Sequence, residues 1–470
     1  MDRPWADLYV YFFERSLQLL RVGGVLSFIT SNKYFRADYG KRLRTYLAYA
    51  TRPSVMLDFG DAPVFTSIAY PAIIVTRKTR SVELGKLPEK VDAEDWESRV
   101  MTWTPGPDIR EFPEIFEHDA GILHQRELRQ DGWRLGEREV LRLVDKIRGS
   151  GTPLGSVVSK RIFAGIKTGL NDAFLIDSEC CKRLLADDPC SADIIKPYLH
   201  GKHIRKWHPG VSDQYIIYTP HGIDIDQYPA VKNHLRPFKS RLETRALDQK
   251  WYELQQPQKA FTSGYEGRKI VYPNIAYGCR FAADTGSYLD MTSFCICGPV
   301  AFLLPVLNSS VITFFFAHLG IQRRGGYQEF KTQYVQQFPI PETNPRERGL
   351  CERLAEALIW LHSPAGKKAQ NAPTGLMIAY LEQWLNGLVY ELFFPGELHA
   401  RRLKLFDETA KLNPPDLANL PDADKLTALQ ELHEKAYAKQ ATLRGMLFDL
   451  KSLDVVRVIE DADESMNKEV

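Results

Sequence analysis

Between Trp5 and Thr76 the chain alternates helix and strand patterns, and that alternation commits its start to an α/β sheet. Leu8, Tyr11, Phe12, Leu17 and Leu20 recur at helical spacing across Trp5–Leu20. Gly23-Gly24 ends this helix, and Val25–Ile29 follows as a short buried strand. Tyr39–Ala50 reads as a second helix with Lys41, Arg42 and Arg44 on its wet face. Ser54–Phe59 and Ala69–Thr76 read as two further strands. The alternation then stops, after roughly half of what a doubly wound domain requires.

A chain of 470 residues exceeds a single core, and two or three domains are expected. Residues 1–80 form the α/β block. Residues 81–150 read as a connector packed over the sheet, closed by a helix at Trp133–Arg148. From 151 to 342 short β runs alternate with turns and helical pieces, the mark of an α+β domain. Residues 343–470 read as a helical tail. With 44% apolar and 26% charged residues the chain is an ordinary globular one. The seven cysteines lack metal-ligand spacing, and Cys295 and Cys297 sit in an apolar run as core positions of a reducing cytosol. The start does not read as a signal peptide and no apolar run has the length to cross a bilayer, so a cytoplasmic protein without a membrane partner is expected.

The stretch Ser159–Asp177 carries Lys160 and Arg161, then Gly165, Lys167, Thr168, Gly169 and Asn171, before the apolar Ala173–Ile176. It suits a β-hairpin whose turn needs Gly and Asn, and it equally suits backbone held near a phosphate chain. Asp193–Trp207 interleaves Lys196, His200, Lys202, His203, Arg205 and Lys206 with Tyr198 and Trp207, a pattern fit for phosphate and stacking contacts or for a solvated face. Arg268-Lys269 open a strand. Gly320–Lys331 places Arg323 and Arg324 before Gly325-Gly326, where they reach phosphates and guanine edges or face a helix dipole and solvent. The net charge is only +2, so a nucleic-acid surface must be a local patch, and four such patches in one domain favour one. The histidines here fit phosphate or solvent contacts better than metal.

In the first block, Ser31-Asn32-Lys33 closes a strand at the edge where open α/β sheets keep ligands, and Phe65 follows the strand bearing Asp58. A loop phenylalanine there either packs into the core or stacks on a planar ligand such as an extruded base. The chain has no GxxxxGK[ST] loop for an ATPase motor. Glu329-Phe330-Lys331 has an acid-x-Lys form but no suitable strand-borne Asp upstream for a nuclease, and a glycine-rich FxGxG cofactor loop is absent.

Taken in order, DLYVYFFERSLQLLRVGGVLSFITSNKYF, FGDAPVFTSIAYPAIIV, IFAGIKTGLNDAFLID, IIKPYLHGKHIRKW and VLNSSVITFFFAHLGIQRRGGYQEFKTQYVQQFPIP resemble segments of the TaqI-like, gamma-class adenine-N6 DNA methyltransferases. The tail segment LEQWLNGLVYELFF is similar as well. The resemblance implies a partial Rossmann-like methyltransferase half-domain, an α+β target-recognition domain and a helical C-terminal region. It implies double-stranded DNA as partner and a role for Phe65 against a flipped adenine. It implies DNA contacts from Lys160, Lys167, Thr168, Asn171, Lys202, Arg205, Arg268, Arg323, Arg324 and Lys331. The family binds S-adenosylmethionine through a glycine-rich motif and grips adenine with Asn-Pro-Pro-Tyr. Neither motif is present, and Asn413-Pro414-Pro415-Asp416 lacks the aromatic. The expectation is a recognition part of a restriction-modification or phage-defence methyltransferase that does not bind S-adenosylmethionine alone. It would be completed by a missing N-terminal catalytic half or serve as a specificity subunit beside a separate catalytic chain.

Overall fold

The computed structural model describes residues 7–467, except 36, 61, 63, 66–69, 83–85, 89–90, 92–95, 104–107, 129, 131, 134, 136–137, 211, 247, 259–261, 320–325 and 371–373. Two compact units emerge, one formed by residues 1–146 with 317–328 and the other by 147–316 with 329–468.

The first unit is built on a five-stranded sheet. Among its described helices are α1 (Leu8–Leu19), α2 (Lys41–Ala50) and α3 (Phe112–Asp119). Its strands are β1 (Val25–Ser31), β2 (Thr51–Asp58), β3 (Pro71–Lys78), β4 (Glu97–Thr102) and β5 (Gly121–His124), in spatial order β1-β3-β2-β4-β5. Strand β3 runs antiparallel to both β1 and β2, and β2 runs parallel to β4. Asp7 caps α1 through its carboxylate, and Lys78 Nζ donates to the terminal carbonyls of Leu17 and Leu20, so both ends of the helix are satisfied. Val10, Phe13 and Leu17 form its buried stripe, with Phe13 meeting Phe28 of β1 edge to face.

Two expectations change here. Residues 81–150 are more than a covering connector, because they supply β4 and β5 to the sheet. Glu97–Thr102 buries Ser98, Val100 and Met101 among exposed or half-exposed neighbours, a pattern too short and polar to announce a strand. Arg44 is not on a wet face. It is 2% exposed, and its guanidinium donates to the carbonyls of Tyr34, Ala37 and Gln130.

The second unit contains two four-stranded sheets. The first holds β7 (Leu175–Asp177), β8 (Ile195–Leu199), β9 (Gln214–Ile217) and β12 (Tyr288–Leu289), in order β12-β8-β9-β7. The other holds β6 (Ile162–Ala164), β10 (Arg268–Pro273), β11 (Ala282–Thr285) and β13 (Ser293–Ile296), in order β11-β10-β13-β6. A continuous core joins them through Ile166, Phe174, Tyr198, Ile216, Val271, Tyr288 and Cys295. Helices follow from Pro345 onward. Asn344, Pro345 and Glu347 form a capping box with proline at the first helical position of Pro345–His362. That helix packs on Gly375–Phe393, whose Trp384 indole donates to Thr409. Among the described residues no single helix is long and apolar enough to cross a membrane.

Candidate nucleic-acid interface

The expected hairpin at Ser159–Asp177 does not form. Strand β6 pairs with β13, whereas β7 pairs with β9 in the other sheet, so the segment is a crossover. Its two glycines serve different ends. At Gly165 a Cβ would stand 1.8 Å from the Asp290 carbonyl oxygen, so glycine permits close backbone approach. At Gly169 the φ of +82° requires it, and the Arg245 side chain fills the space above. Arg245 donates to the carbonyls of Thr168, Trp251 and Glu253, which pins the turn from inside. Thr168 is 3% exposed and its hydroxyl donates to Asn171 Oδ1 at 2.6 Å, so it holds the turn and does not face solvent. Asn171 is exposed. Lys167 exchanges backbone hydrogen bonds with Gln256 and leaves its half-exposed ammonium without a partner among the described residues. Lys160, at φ +58°, is exposed at the start of β6.

Sequence reasoning missed Asp290, which organises this end of the unit. Its carboxylate accepts from the Gly201 and Thr292 N–H groups and from the Thr292 and Ser293 hydroxyls, and it meets His200 Nδ1 at 3.0 Å. Ile166 bridges to its backbone. Asp-x-Thr-Ser is an Asx-turn signature, so the local turn was readable, but its distant partners were not. The result brings the Lys167 segment, the Gly201–His203 turn and the start of β13 to one point.

That turn displays Lys202 and Arg205, both exposed. Arg205 is braced against the carbonyls of Lys202 and Ile204, and the Lys202 ammonium has no partner among the described residues. His203 has its pKa pulled below the ordinary imidazole value, first by burial and then by the charges of Lys202, His200 and Arg205, against a weaker opposing pull from Asp290. His200 is held between Asp290 and Gln214, leaving little for a phosphate. The aromatics interleaved here are internal. Tyr198 is 3% exposed, and Trp207 is 4% exposed with its indole donating to Glu382. At this patch Lys202 and Arg205 stay open to solvent, whereas both aromatics lie inside.

The other candidates stand elsewhere. Arg268 is ion-paired with Glu356 at 2.7 Å and lines a cavity of about 830 Å³ with Glu352, Arg353 and Lys425. Lys269 is wholly buried against Asp284, so it offers no contact surface. Lys331 pairs with Glu329. Arg323 and Arg324 lie outside the described residues.

In the first unit, Asn32 Nδ2 donates to Asp58 Oδ1 at 2.7 Å, and the same oxygen accepts from the Gly60 N–H. Asp58 is 3% exposed and its charge, after burial, helps to push the Tyr34 phenol upward. Phe65 is 49% exposed in the bend beyond. Asn32 and Asp58 are thus tied to each other at this sheet edge, with Asp58 also holding the Gly60 turn. Asn413 is the left-handed C-cap of a helix at φ +48°, with its amide oxygen taken by Arg353.

Two family models match. Residues 196–340 match the TaqI-like C-terminal specificity domain, and residues 2–65 match the Eco57I restriction-modification methylase. The type II methyltransferase M.PaeR7I of Pseudomonas aeruginosa is 26% identical over 75% of this chain and 62% of its own length. M.BstVI of Geobacillus stearothermophilus is 24% identical over 79% of this chain and 69% of its own length. The chain thus spans roughly two thirds of these relatives. The type IIL restriction-modification enzyme MmeI, solved with DNA, shares the fold at a TM-score of 0.52 and 12% identity, over 92% of this chain and 53% of that one. The resemblance drawn from the sequence therefore holds, and this chain is similar to type II restriction-modification methyltransferases through an Eco57I-methylase segment at residues 2–65 and a TaqI-like specificity segment at residues 196–340.

Proposed function

We propose that this chain supplies DNA target recognition to a site-specific adenine-N6 DNA methyltransferase of a restriction-modification or phage-defence system. The observation that carries this reading is the Asp290 junction inside the matched specificity segment, with Lys167, Lys202 and the exposed Arg205 gathered around it. Lys160, Asn171, Lys202 and Arg205 are all exposed, whereas Arg268 and Lys331 must first leave their carboxylates. A duplex backbone gains affinity from such cations by counterion release. Replacing Lys202 and Arg205 together with alanine should weaken duplex binding. It should also reduce the slope of log K against log salt by about 0.9 for each phosphate no longer neutralised. Unchanged affinity and slope in the double variant would remove these residues from the interface.

Methyl transfer in the resembled family uses a glycine-rich cofactor motif and an Asn-Pro-Pro-Tyr motif that this sequence lacks, and the first unit has a surface suited to the part that carries them. Strand β1 is an edge strand, with Val25 and Ile29 exposed. Leu8, Phe12 and Leu19 of α1 and Val22 beside them are exposed as well. A long apolar edge left open is a template for another strand. We assign this edge to the cofactor-bearing part of the catalytic sheet, whether it precedes this segment in one polypeptide or comes as a separate chain. On that reading residues 1–80 are the closing half of a methyltransferase domain and Phe65 stacks on the flipped adenine. Phe65→Ala should lower methyl transfer by the reassembled enzyme roughly tenfold to a hundredfold while leaving duplex affinity unchanged. Equal rates for the variant and the wild type would refute the stacking role, and methyl transfer by this chain alone would refute the division of labour.

A further inference from the structure

Immediately after Asp290 stands Met291, 60% exposed, and Ile275 is 48% exposed. The Asn274 N–H donates to the Thr292 carbonyl, so these two apolar side chains flank one interstrand bond at the end of the β10–β13 pair. Thr292 also abuts Gly201, where a Cβ would lie 2.7 Å from the Thr292 carbonyl oxygen. The apolar pair and the turn bearing Lys202 therefore share one junction.

Single exposed hydrophobic residues need no explanation. This case differs in how the backbone is held. Asp290 before Met291 and Thr292 after it are both locked by the same carboxylate, which also fixes the Gly201 turn. The backbone of Met291 is thus clamped while its unbranched, adaptable side chain stands in solvent. Rigid display of an apolar group next to exposed cations lowers the ordering cost of binding. Cations fix a protein on the phosphates without reading sequence, so an apolar pair that shares their junction is placed to touch base edges. On a base edge, the group that an apolar side chain recognises is the C5-methyl of thymine.

We infer that Met291 and Ile275 form an apolar reading patch that contacts thymine methyl groups of duplex DNA positioned by Lys202 and Arg205. This rests on the target-recognition reading and adds to it the chemistry by which part of the sequence is chosen. The test uses the full chain and a pool of duplexes with a randomised central segment, followed by titration of the best duplex and its single-base variants at fixed salt. The wild type should prefer thymine at one or two positions. Met291→Ala and Met291→Ala/Ile275→Ala should lose about tenfold or more of that preference, with the salt slope unchanged and Met291→Leu retaining most of it. Deoxyuridine in place of thymidine at those positions should cost the wild type a similar factor and leave the double variant indifferent. Undiminished preference in the double variant, or equal binding of the deoxyuridine duplex, overturns the inference while leaving target recognition standing. Failure of the wild type to bind any duplex overturns both.

Discussion

Alanine at Gly165 is expected to destabilise the second unit by at least about 3 kcal/mol, beyond the usual cost of one extra methyl in a packed site. The added Cβ would stand 1.8 Å from the Asp290 oxygen, 2.5 Å from its carbonyl carbon and 2.7 Å from the Leu289 oxygen. All three are backbone atoms, so no rotamer change relieves the clash. Nor is the segment free to withdraw, because the Gly165 N–H donates to Ser293 and the Ile166 N–H to Leu289. Moving it would pull apart β6, β13 and the Asp290 turn together. Urea denaturation of the full chain reads the effect, and duplex affinity should fall with it. Gly445→Ala is the control: it meets nothing within 4 Å in the helix Thr442–Leu450 and should be neutral or stabilising by up to about 1 kcal/mol. Equal stability of Gly165→Ala and the wild type would mean that the crossover does not press on Asp290.

The second large effect is expected at Lys269. Its side chain is 0% exposed, and Nζ donates to Asp284 Oδ2 and to the Tyr265 carbonyl, each at 2.6 Å. Truncation to alanine leaves a buried carboxylate without its counter-charge, a loss of about 3–5 kcal/mol. The pair itself is a weak stabiliser, because desolvation offsets most of its attraction. Lys269→Met/Asp284→Asn should therefore recover much of what Lys269→Ala loses, since Ser287 keeps an acceptor at position 284. Denaturant midpoints of the three proteins decide the matter. A loss below about 1 kcal/mol in Lys269→Ala would contradict the burial of this charge.

Lys269 also shows where sequence reading reaches its limit. Beside Arg268 it reads as half of a basic patch, yet strand alternation turns one residue out and the other in. Arg44 departs from expectation for a related reason: helical spacing cannot reveal that three carbonyls wait for a guanidinium on the inner side. Elements with strong periodicity were legible, as in Leu8–Leu19, Lys41–Ala50 and the long tail helices. The Ser159–Asp177 stretch was readable as a place where glycine mattered, but not for the right partner. The backbone pressed against Gly165 is the chain's own, and one strand on each side belongs to a different sheet. Asp290 and Met291 left no periodic signal because their importance comes from residues about ninety positions away.

The central claim is that the Asp290 junction presents a DNA-reading surface. Its most direct test is a salt titration of duplex binding by the full chain and by Lys202→Ala/Arg205→Ala. Sequence-selective binding by the wild type, steep in salt, with a slope reduced by up to about 1.8 in the double variant, is the predicted result. No duplex binding even at low salt, or identical slopes for the two proteins, would contradict it.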